Sequence, residues 1–448
     1  MLKKTIIQVV IFCVLLAAAS SCTKEKAYYS KALPELVIAP GSPRLAESTI
    51  QFHADTVYIL ATSLVINAGQ LLKLEPGTLV KVNNNISVTI NPGGTIEAKG
   101  TREKPIVFTS SANTGSPGTI SSNANNTDKF WYGIRIYGDA DHQPSLSSGT
   151  LEFVRVEFAG GDENFSGLAS LLLDNVSANT QLDNVQVSYS YQNASFEFSR
   201  GSVPSRNLVS FASGGTDFIV HNGYKGMMQN LLAWRHPYFP GGNALSSTAL
   251  AGLLIEGTET SPLISNLSVI GPEDSVATSL QYYFDSSPRA ALVVQSGRLA
   301  IANSLFAGFP LAAFYLNSRE TGASLQAGES LFIHSAFQCH DTATVFYLPD
   351  AVYPPYKSGD LKNFMLDPRF SNQLYGPFGL LRLNGVFDYD VDPVIRPADN
   401  SPLLNGAVFD NPFTDPFFEK YTHIGAIGTN DWLSGWSNFI PLQTHYND

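Results

Sequence analysis

The pattern of apolar and polar positions predicts a chain built almost entirely of short strands. Apolar and β-branched residues dominate 57–66, which is typical of a half-buried strand. Similar short runs follow, separated by turn signals such as Glu75-Pro76-Gly77-Thr78. Proline followed by glycine at the centre of a turn favours type II, because proline presets φ and glycine accepts a positive φ. No convincing helical period follows residue 57, so the sequence predicts an all-β fold.

An asparagine recurs at a fixed place before an apolar run. Asn184, Asn207 and Asn230 lie 23 residues apart, and Asn266 and Asn303 follow after 36 and 37 residues. Periods of roughly 20–50 residues indicate stacked repeats. We therefore predict a β-solenoid whose parallel coils lie about 4.8 Å apart. A short amide tolerates a sharp bend and can bond to the backbone and to the amide above. Stacked amides would thus satisfy polar groups that would otherwise cost ~1–3 kcal/mol each.

The two longer intervals predict loops that leave the solenoid around 235–248 and 272–288. Insertions in repeat proteins often build the binding face. Aromatic rings stack on sugars and anchor protein interfaces. The candidate binding residues are therefore Trp234, Tyr238, Tyr282 and Tyr283. Packing of these rings back onto the solenoid is the alternative.

The N-terminus predicts export and a lipid anchor. Two lysines precede an apolar run that is too short for a membrane span of ~20 residues. The segment 15–22 resembles a bacterial lipobox, which implies lipidation of Cys22. We therefore interpret 1–21 as a lipoprotein signal peptide and 22–50 as a lipid-anchored linker. The expected location is the cell envelope, with the lipid in the outer membrane and exposure at the cell surface left open.

The amino-acid composition limits the classes of partner that the protein can bind. The formal net charge is −11, and only 15% of the 448 residues are charged, compared with about 25% in an average protein. An acidic chain of this kind is not expected to bind nucleic acid. Cys13 lies in the signal and Cys22 at the lipid site, so Cys339 is left without an intramolecular disulfide partner.

Several motifs carry a family resemblance, best over 60–200. The segments 75–78, 98–101, 105–110 and 131–136 resemble the first coils of secreted or lipid-anchored, pectate-lyase-like β-helix proteins of Bacteroidetes. The resemblance implies a right-handed single-stranded parallel β-helix with extruded loops and a C-terminal cap.

The C-terminal sequence resembles the closing motifs of such proteins at 400–406 and 423–427. A solenoid end exposes strand edges and core, so it needs a cap. We therefore expect the parallel β-helix over 51–340, with 51–65 covering its first end, and the last coils and cap over 341–448.

Candidate chemistry is sparse. Lyases of this fold commonly use a basic residue beside acids, so Asp217, His221, Lys225 and Arg235 are weak catalytic candidates, with ordinary surface polarity as the alternative. Asp183 with Glu197, or Asp162 with Glu163, is a conceivable carboxylate pair for a glycosidase, although nothing distinguishes these residues from other acids.

The sequence contains one candidate cofactor site, for Ca²⁺. Asp388, Asp390 and Asp392 place carboxylates at alternate positions, which in a loop would suit Ca²⁺, although a solvated turn explains them equally well.

Three functions remain open. The first is a cell-envelope lipoprotein that binds glycans or a partner protein along the solenoid. The second is a polysaccharide lyase or glycoside hydrolase, since the fold hosts both. The third is a structural or adhesive surface protein. The fold alone does not decide among them.

Overall fold

Short parallel strands follow one another around a three-sided coil. The computed structural model describes residues 32–115, 129–161, 168–191, 193–236, 251–271, 290–295, 297–309, 312–339, 341–349, 358–389 and 393–446. Residues 34–446 form one unit. The strands are β1 Glu35–Ile38, β2 Thr49–Phe52, β3 Val57–Leu60, β4 Leu64–Ile66, β5 Leu71–Leu74, β6 Leu79–Val82, β7 Ser87–Ile90, β8 Thr95–Lys99, β9 Ile106–Ser110, β10 Gly133–Tyr137, β11 Gly149–Glu157, β12 Ala169–Asp174, β13 Gln181–Ser188, β14 Ala194–Ser199, β15 Ser205–Phe211, β16 Thr216–His221, β17 Met227–Trp234, β18 Ala251–Glu256, β19 Leu263–Ile270, β20 Ala290–Gln295, β21 Ala300–Ala302, β22 Leu305–Phe309, β23 Ala312–Leu316, β24 Leu331–Ile333, β25 Ala336–Cys339, β26 Phe346–Tyr347, β27 Gln373–Tyr375, β28 Leu383–Asn384 and β29 Arg396–Pro397.

The strands stack into three sides, which we call faces A, B and C. Face A holds β2, β5, β8, the first halves of β11, β13, β15, β17 and β19, and then β21 and β24. Face B holds β1, β3, β6, β9, the second halves of the same long strands, and β22, β25 and β27. Face C holds β4, β7, β10, β12, β14, β16, β18, β20, β23 and β26. The predicted parallel β-helix is confirmed.

Each asparagine of the ladder lies where the chain turns from face A to face B. Asn184, Asn207, Asn230, Asn266 and Asn303 have φ between 51° and 57°, the left-handed region that asparagine tolerates. The apolar residues that follow the first four stack inside the coil, as predicted: Val185, Leu208, Leu231 and Leu267 are fully buried and pair in succession.

The predicted amide stack is present at only one step. The Asn230 side chain donates to Asn207 Oδ1 at 3.1 Å. Asn184 and Asn207 both donate to Asp183 Oδ1 at 2.8 Å instead. The prediction of a continuous amide ladder is wrong, because a carboxylate offers a stronger acceptor at its start.

The solenoid begins earlier than the sequence indicated. β1 pairs with β3 and β2 pairs with β5, so residues from 35 onward are already part of the coils. Ile38 is buried in the core, and Leu36 and Leu45 pack against it. The prediction that 22–50 is a linker is therefore wrong from residue 35, and 51–65 form coil strands rather than a cover for the first end.

Two helices near the end of the solenoid were not predicted. α1 spans Arg319–Ala327, and the Ser318 side chain caps it by accepting from the Thr321 N–H. α2 spans Ser358–Met365. Leu361 and Met365 of α2 join the same buried cluster as Phe346 of β26, so this helix covers apolar residues of the last coils.

The remaining C-terminal segment lies along the side of the solenoid. We call residues 376–446 the strap. Many of its apolar side chains cluster with the outward residues of face B, including Phe158, Phe211 and Ala307. At its far end Tyr446 packs on Val57 of the early coils. The predicted end cap is corrected accordingly, because the strap buries the side of face B along most of its length.

Amide side chains of the solenoid bind the strap backbone as a neighbouring strand would. Each of three side chains both donates to a carbonyl and accepts from an N–H: Gln186 with Asn438 (2.7 and 2.8 Å), Gln229 with Glu419 (2.8 and 2.8 Å) and Asn303 with Val408 (3.0 and 2.9 Å). These bonds satisfy backbone groups of a segment that has little regular structure of its own.

The end of the strap rests on a buried carboxyl group. Glu157, at the end of β11, is 1% exposed and accepts a hydrogen bond from the Tyr446 hydroxyl. The Arg155 guanidinium lies 3.8 Å away. Burial raises the pKa of Glu157, although Arg155 and Tyr446 act in the opposite direction.

We expect Glu157→Gln to stabilise the protein at neutral to alkaline pH. A raised pKa in the folded state means that the stability due to this group is complete below about pH 4.5 and is lost as the pH rises through the folded pKa. The variant should therefore be more stable than the wild type near pH 8 and match it near pH 4 in urea unfolding. Glu329→Gln, at a half-exposed ion pair, is the control. A variant less stable than the wild type near pH 8 would show that the ionised carboxylate is required.

Candidate functional site

The strap decides which solenoid surface remains accessible. Outward side chains of face B, such as Val209 and Ile270, are fully buried beneath it. Residues 409–418 of the strap also cover the later half of face A, where Phe413 and Phe418 pack on Ala302. The earlier half of face A is left with partly exposed polar side chains.

We call this earlier half of face A the open strip. Its outward residues form two rows in register across β2, β5, β8, β11, β13 and β15: Gln51, Lys73, Glu97, Thr150 and Gln181 in the first, and Lys99, Glu152, Asp183 and Arg206 in the second. Inward residues between them, such as Ala98, Leu151 and Leu182, are buried. Five strand spacings of ~4.8 Å make the strip about 24 Å long.

Two carboxylates face each other in the second row. Glu152 of β11 is the register partner of Asp183 of β13, so their backbones are one strand spacing of ~4.8 Å apart. Burial raises the pKa of Asp183, and the Glu152 charge acts in the same direction, while the Asn207 hydrogen bond and Arg206 oppose them. A perturbed carboxyl group beside a second one is a recognised mark of functional sites.

Arg206 and the strap form the end of the open strip. The guanidinium donates to the Phe417 carbonyl and lies 4.3 Å from the Phe417 ring centroid. It also approaches the Glu419 carboxylate at 3.5 Å. Beyond this point the strap covers face A, so a ligand lying along the strip would end against these residues.

Two of the weak catalytic candidates meet inside the protein. Arg235 Nη1 lies 3.0 Å from Asp217 Oδ2 and donates to the Gly215 carbonyl at 2.6 Å. Asp217 is fully buried and Arg235 is 3% exposed. Burial raises the pKa of Asp217 to about 6, even though Arg235 lowers it. The pair is therefore not ordinary surface polarity, and its burial and internal contacts give it a structural role.

The other two candidates lie elsewhere. His221 Nε2 lies 3.0 Å from Glu197 Oε1 on the outer side of face C, and Asn193 donates to the other Glu197 oxygen at 3.1 Å. Lys225 is exposed in the turn that follows β16. The four candidates therefore do not form one site. Asp183 and Glu197 lie on different faces, so the carboxylate pair considered from the sequence is also wrong.

The predicted aromatic binding residues have different outcomes. Trp234 is the last residue of β17 and is fully buried. Its ring stacks on Tyr389 at 5.4 Å, and its Nε1 atom donates to the Val386 carbonyl at 2.7 Å. The loop assignment of Trp234 is wrong, because the residue belongs to β17, and the strap buries its ring. Tyr238, Tyr282 and Tyr283 lie outside the described residues.

The other predicted site residues are the possible Ca²⁺ ligands, the lipidated cysteine and an alternative carboxylate pair. Asp388 is described, whereas Asp390, Asp392, Cys22 and the alternative carboxylate pair Asp162 and Glu163 lie outside the described residues. Within the described ranges no group of three or more His, Cys, Asp or Glu side chains is placed to hold a metal ion. Over the same ranges, no helix combines the length and apolar character that a membrane crossing requires.

The stacked parallel strands define a parallel β-helix protein, a class that fits a surface or carbohydrate-related role. The chain belongs to the pectate-lyase-like β-helix domain family, whose model matches residues 44–347, more than half of the sequence. No curated protein and no solved structure matches the chain. No matched protein therefore indicates a ligand for the open strip. The class of ligand must be inferred from the side chains of the strip.

Proposed function

We propose that the protein binds a polysaccharide along the open strip. The observation that carries the proposal is the in-register series of amide, hydroxyl and carboxylate side chains on the part of face A that the strap leaves open. Such groups donate and accept hydrogen bonds in the directions that sugar hydroxyls require. A strip about 24 Å long suits an extended chain better than a small molecule.

The location is part of the proposal. The charged and apolar regions of the N-terminal sequence and the lipobox at Cys22 favour a lipid-anchored protein of the cell envelope. Multiple acyl chains anchor strongly, since each buried CH₂ contributes ~0.8 kcal/mol. The mass of the mature N-terminal peptide tests this part: a peptide that lacks acyl chains on Cys22 would refute it.

We expect the double variant Glu152→Ala, Gln181→Ala to lose polysaccharide affinity. Each removes a hydrogen bond worth ~0.5–1.5 kcal/mol, so together they should weaken binding about tenfold or more. Affinity electrophoresis and calorimetry with xyloglucan, galactomannan, laminarin, polygalacturonate and alginate provide the measurement. Neither side chain is buried, so the fold should persist.

Glu256→Ala is the matched control, because Glu256 is an exposed acid on face C. The proposal fails if the wild type binds none of the polymers, or if the double variant binds as tightly as the wild type. The same samples report on catalysis. New reducing ends would show hydrolysis, for which Glu152 and Asp183 are the available carboxyl pair, and unsaturated products would show lyase activity.

A further inference from the structure

The strap closes the second row of the open strip. The position that follows Arg206 in this row is Gln229. Its side chain is fully buried and binds the Glu419 backbone, donating to the carbonyl and accepting from the N–H at 2.8 Å each. The next two positions, Ser265 and Ala302, are fully buried as well. The row therefore offers a ligand nothing beyond Arg206.

The first row is closed at the same level. Its later positions, Met227, Leu263 and Ala300, are apolar and pack against the cluster that Phe413 and Phe418 of the strap form with face A. A chain of sugars would find no hydrogen-bonding partners there, and burying hydroxyl groups without partners is unfavourable. The strip therefore ends across both rows, at a place that we call the closed end.

The opposite end of the strip is more accessible. The Lys73 and Glu97 side chains are 42% and 37% exposed, whereas the Arg206 side chain at the closed end is 27% exposed. A chain that lies along the strip therefore meets the strap at only one of its ends.

The closed end presents carboxylates to the sugar that stops there. The Glu419 side chain is 57% exposed, with one oxygen 3.5 Å from Arg206. Asp183 receives its two amide hydrogen bonds at Oδ1, so within the described residues Oδ2 is available as an acceptor. A terminal sugar carries a free hydroxyl where an internal sugar carries the next glycosidic bond. A carboxylate accepts a hydrogen bond from such a hydroxyl more strongly than a neutral group does.

We propose that the open strip recognises the end of a polysaccharide chain rather than an internal segment. The inference rests on the proposed function and adds the mode of recognition to it. The terminal sugar contacts Glu419 and Asp183, and the chain runs from there toward β2. A pyranose unit is about as long as the strand spacing of ~4.8 Å, so about five sugars fill the strip.

A series of chain lengths tests the closed end. Calorimetry with β-1,3-gluco-, β-1,4-manno- and α-1,4-galacturono-oligosaccharides compares each series with laminarin, galactomannan and polygalacturonate. Affinity per mole of chain should rise up to about five sugars and then stay constant within about twofold, the polymer included. A site for internal segments would instead gain affinity per mole with every added sugar, because each one creates a further overlapping site.

Modified chain ends identify the contact directly. Borohydride reduction opens the sugar ring at the reducing end, and methylation blocks the hydroxyl from which the other end would be extended. One of the two changes should weaken binding of a five-sugar chain at least about tenfold, because the terminal sugar loses hydrogen bonds to charged groups. Glu419→Ala should reduce this penalty at least about threefold. Glu256→Ala on face C is the control and should leave the penalty unchanged.

The outcomes separate the two proposals. Affinity per mole that keeps rising with length, or tolerance of both modified ends, would overturn chain-end recognition and leave polysaccharide binding in place. An unchanged penalty in Glu419→Ala would also overturn it. Failure of the wild type to bind any of these polymers or oligosaccharides would refute the proposed function, and chain-end recognition with it.

Discussion

Replacing Arg235 by methionine is expected to lower the free energy of unfolding by about 3–5 kcal/mol. The substitution leaves Asp217 buried without its cation and removes the donor to the Gly215 carbonyl. Because the pKa of Asp217 is about 6 in the wild type, its carboxyl is largely protonated at about pH 5, so the loss should be smaller there than near pH 8. Urea unfolding at the two pH values provides the measurement.

Two further variants separate the buried pair from an ordinary ion pair. Arg369→Met breaks an exposed pair with Asp367 at 2.9 Å and should cost at most about 1 kcal/mol. The double variant Asp217→Asn, Arg235→Met should lose less than the sum of its single variants, because no unpaired charge remains inside. A stability of Arg235→Met within about 1 kcal/mol of the wild type would contradict the buried ion pair.

Replacing Trp234 by alanine is expected to cost about 3–5 kcal/mol. The indole lies between Phe211 at 4.8 Å and Tyr389 at 5.4 Å, with Phe439 of the strap at 5.1 Å. Its removal leaves a cavity beneath the strap and also deletes the bond to the Val386 carbonyl. Urea unfolding should show the loss, and limited proteolysis should cut the strap more rapidly than in the wild type.

Trp234→Phe serves as the matched control. It keeps an aromatic ring in the cluster and removes the Nε1–H donor, so a loss of about 1–3 kcal/mol is expected. Polysaccharide affinity should be unchanged in both variants under conditions where they are folded. Loss of affinity without loss of stability would restore the interpretation of Trp234 as a binding residue.

The architecture could be predicted because each coil of a solenoid repeats the same pattern of residues at a fixed spacing in the sequence. Asn207 and Asn230 are 23 residues apart because each coil must bend at the same place, and the bend excludes most side chains. The early coils were harder, since β1 and β2 are short and a 3-10 turn at Pro43–Ala46 separates them, which resembles a proline-containing linker.

The open strip had only a partial signal in the sequence. The alternation of apolar and polar residues over 151–158 predicts polar surroundings for both Glu152 and Glu157. Glu152 does lie on the open strip, whereas Glu157 is buried under Tyr446. Likewise, the sequence around Trp234 and Arg235 has the composition of a loop, although both side chains are buried in the structure. Local periodicity predicts whether a side chain points into or out of the coil. It does not predict whether a segment distant in sequence covers an outward side chain.

The sequence by itself determined the parallel coils, the bends at the asparagines and the inward stack that begins at Val185. These features depend on neighbours within one repeat and on the repeat above, so a period in the chain is enough to specify them. Only the tertiary structure decided which face is accessible. The strap joins Asn438 to Gln186, 252 positions earlier, and no local pattern contains that contact. By covering most of face B and half of face A, it turns Trp234 into core and leaves the Glu152–Asp183 row accessible to a ligand.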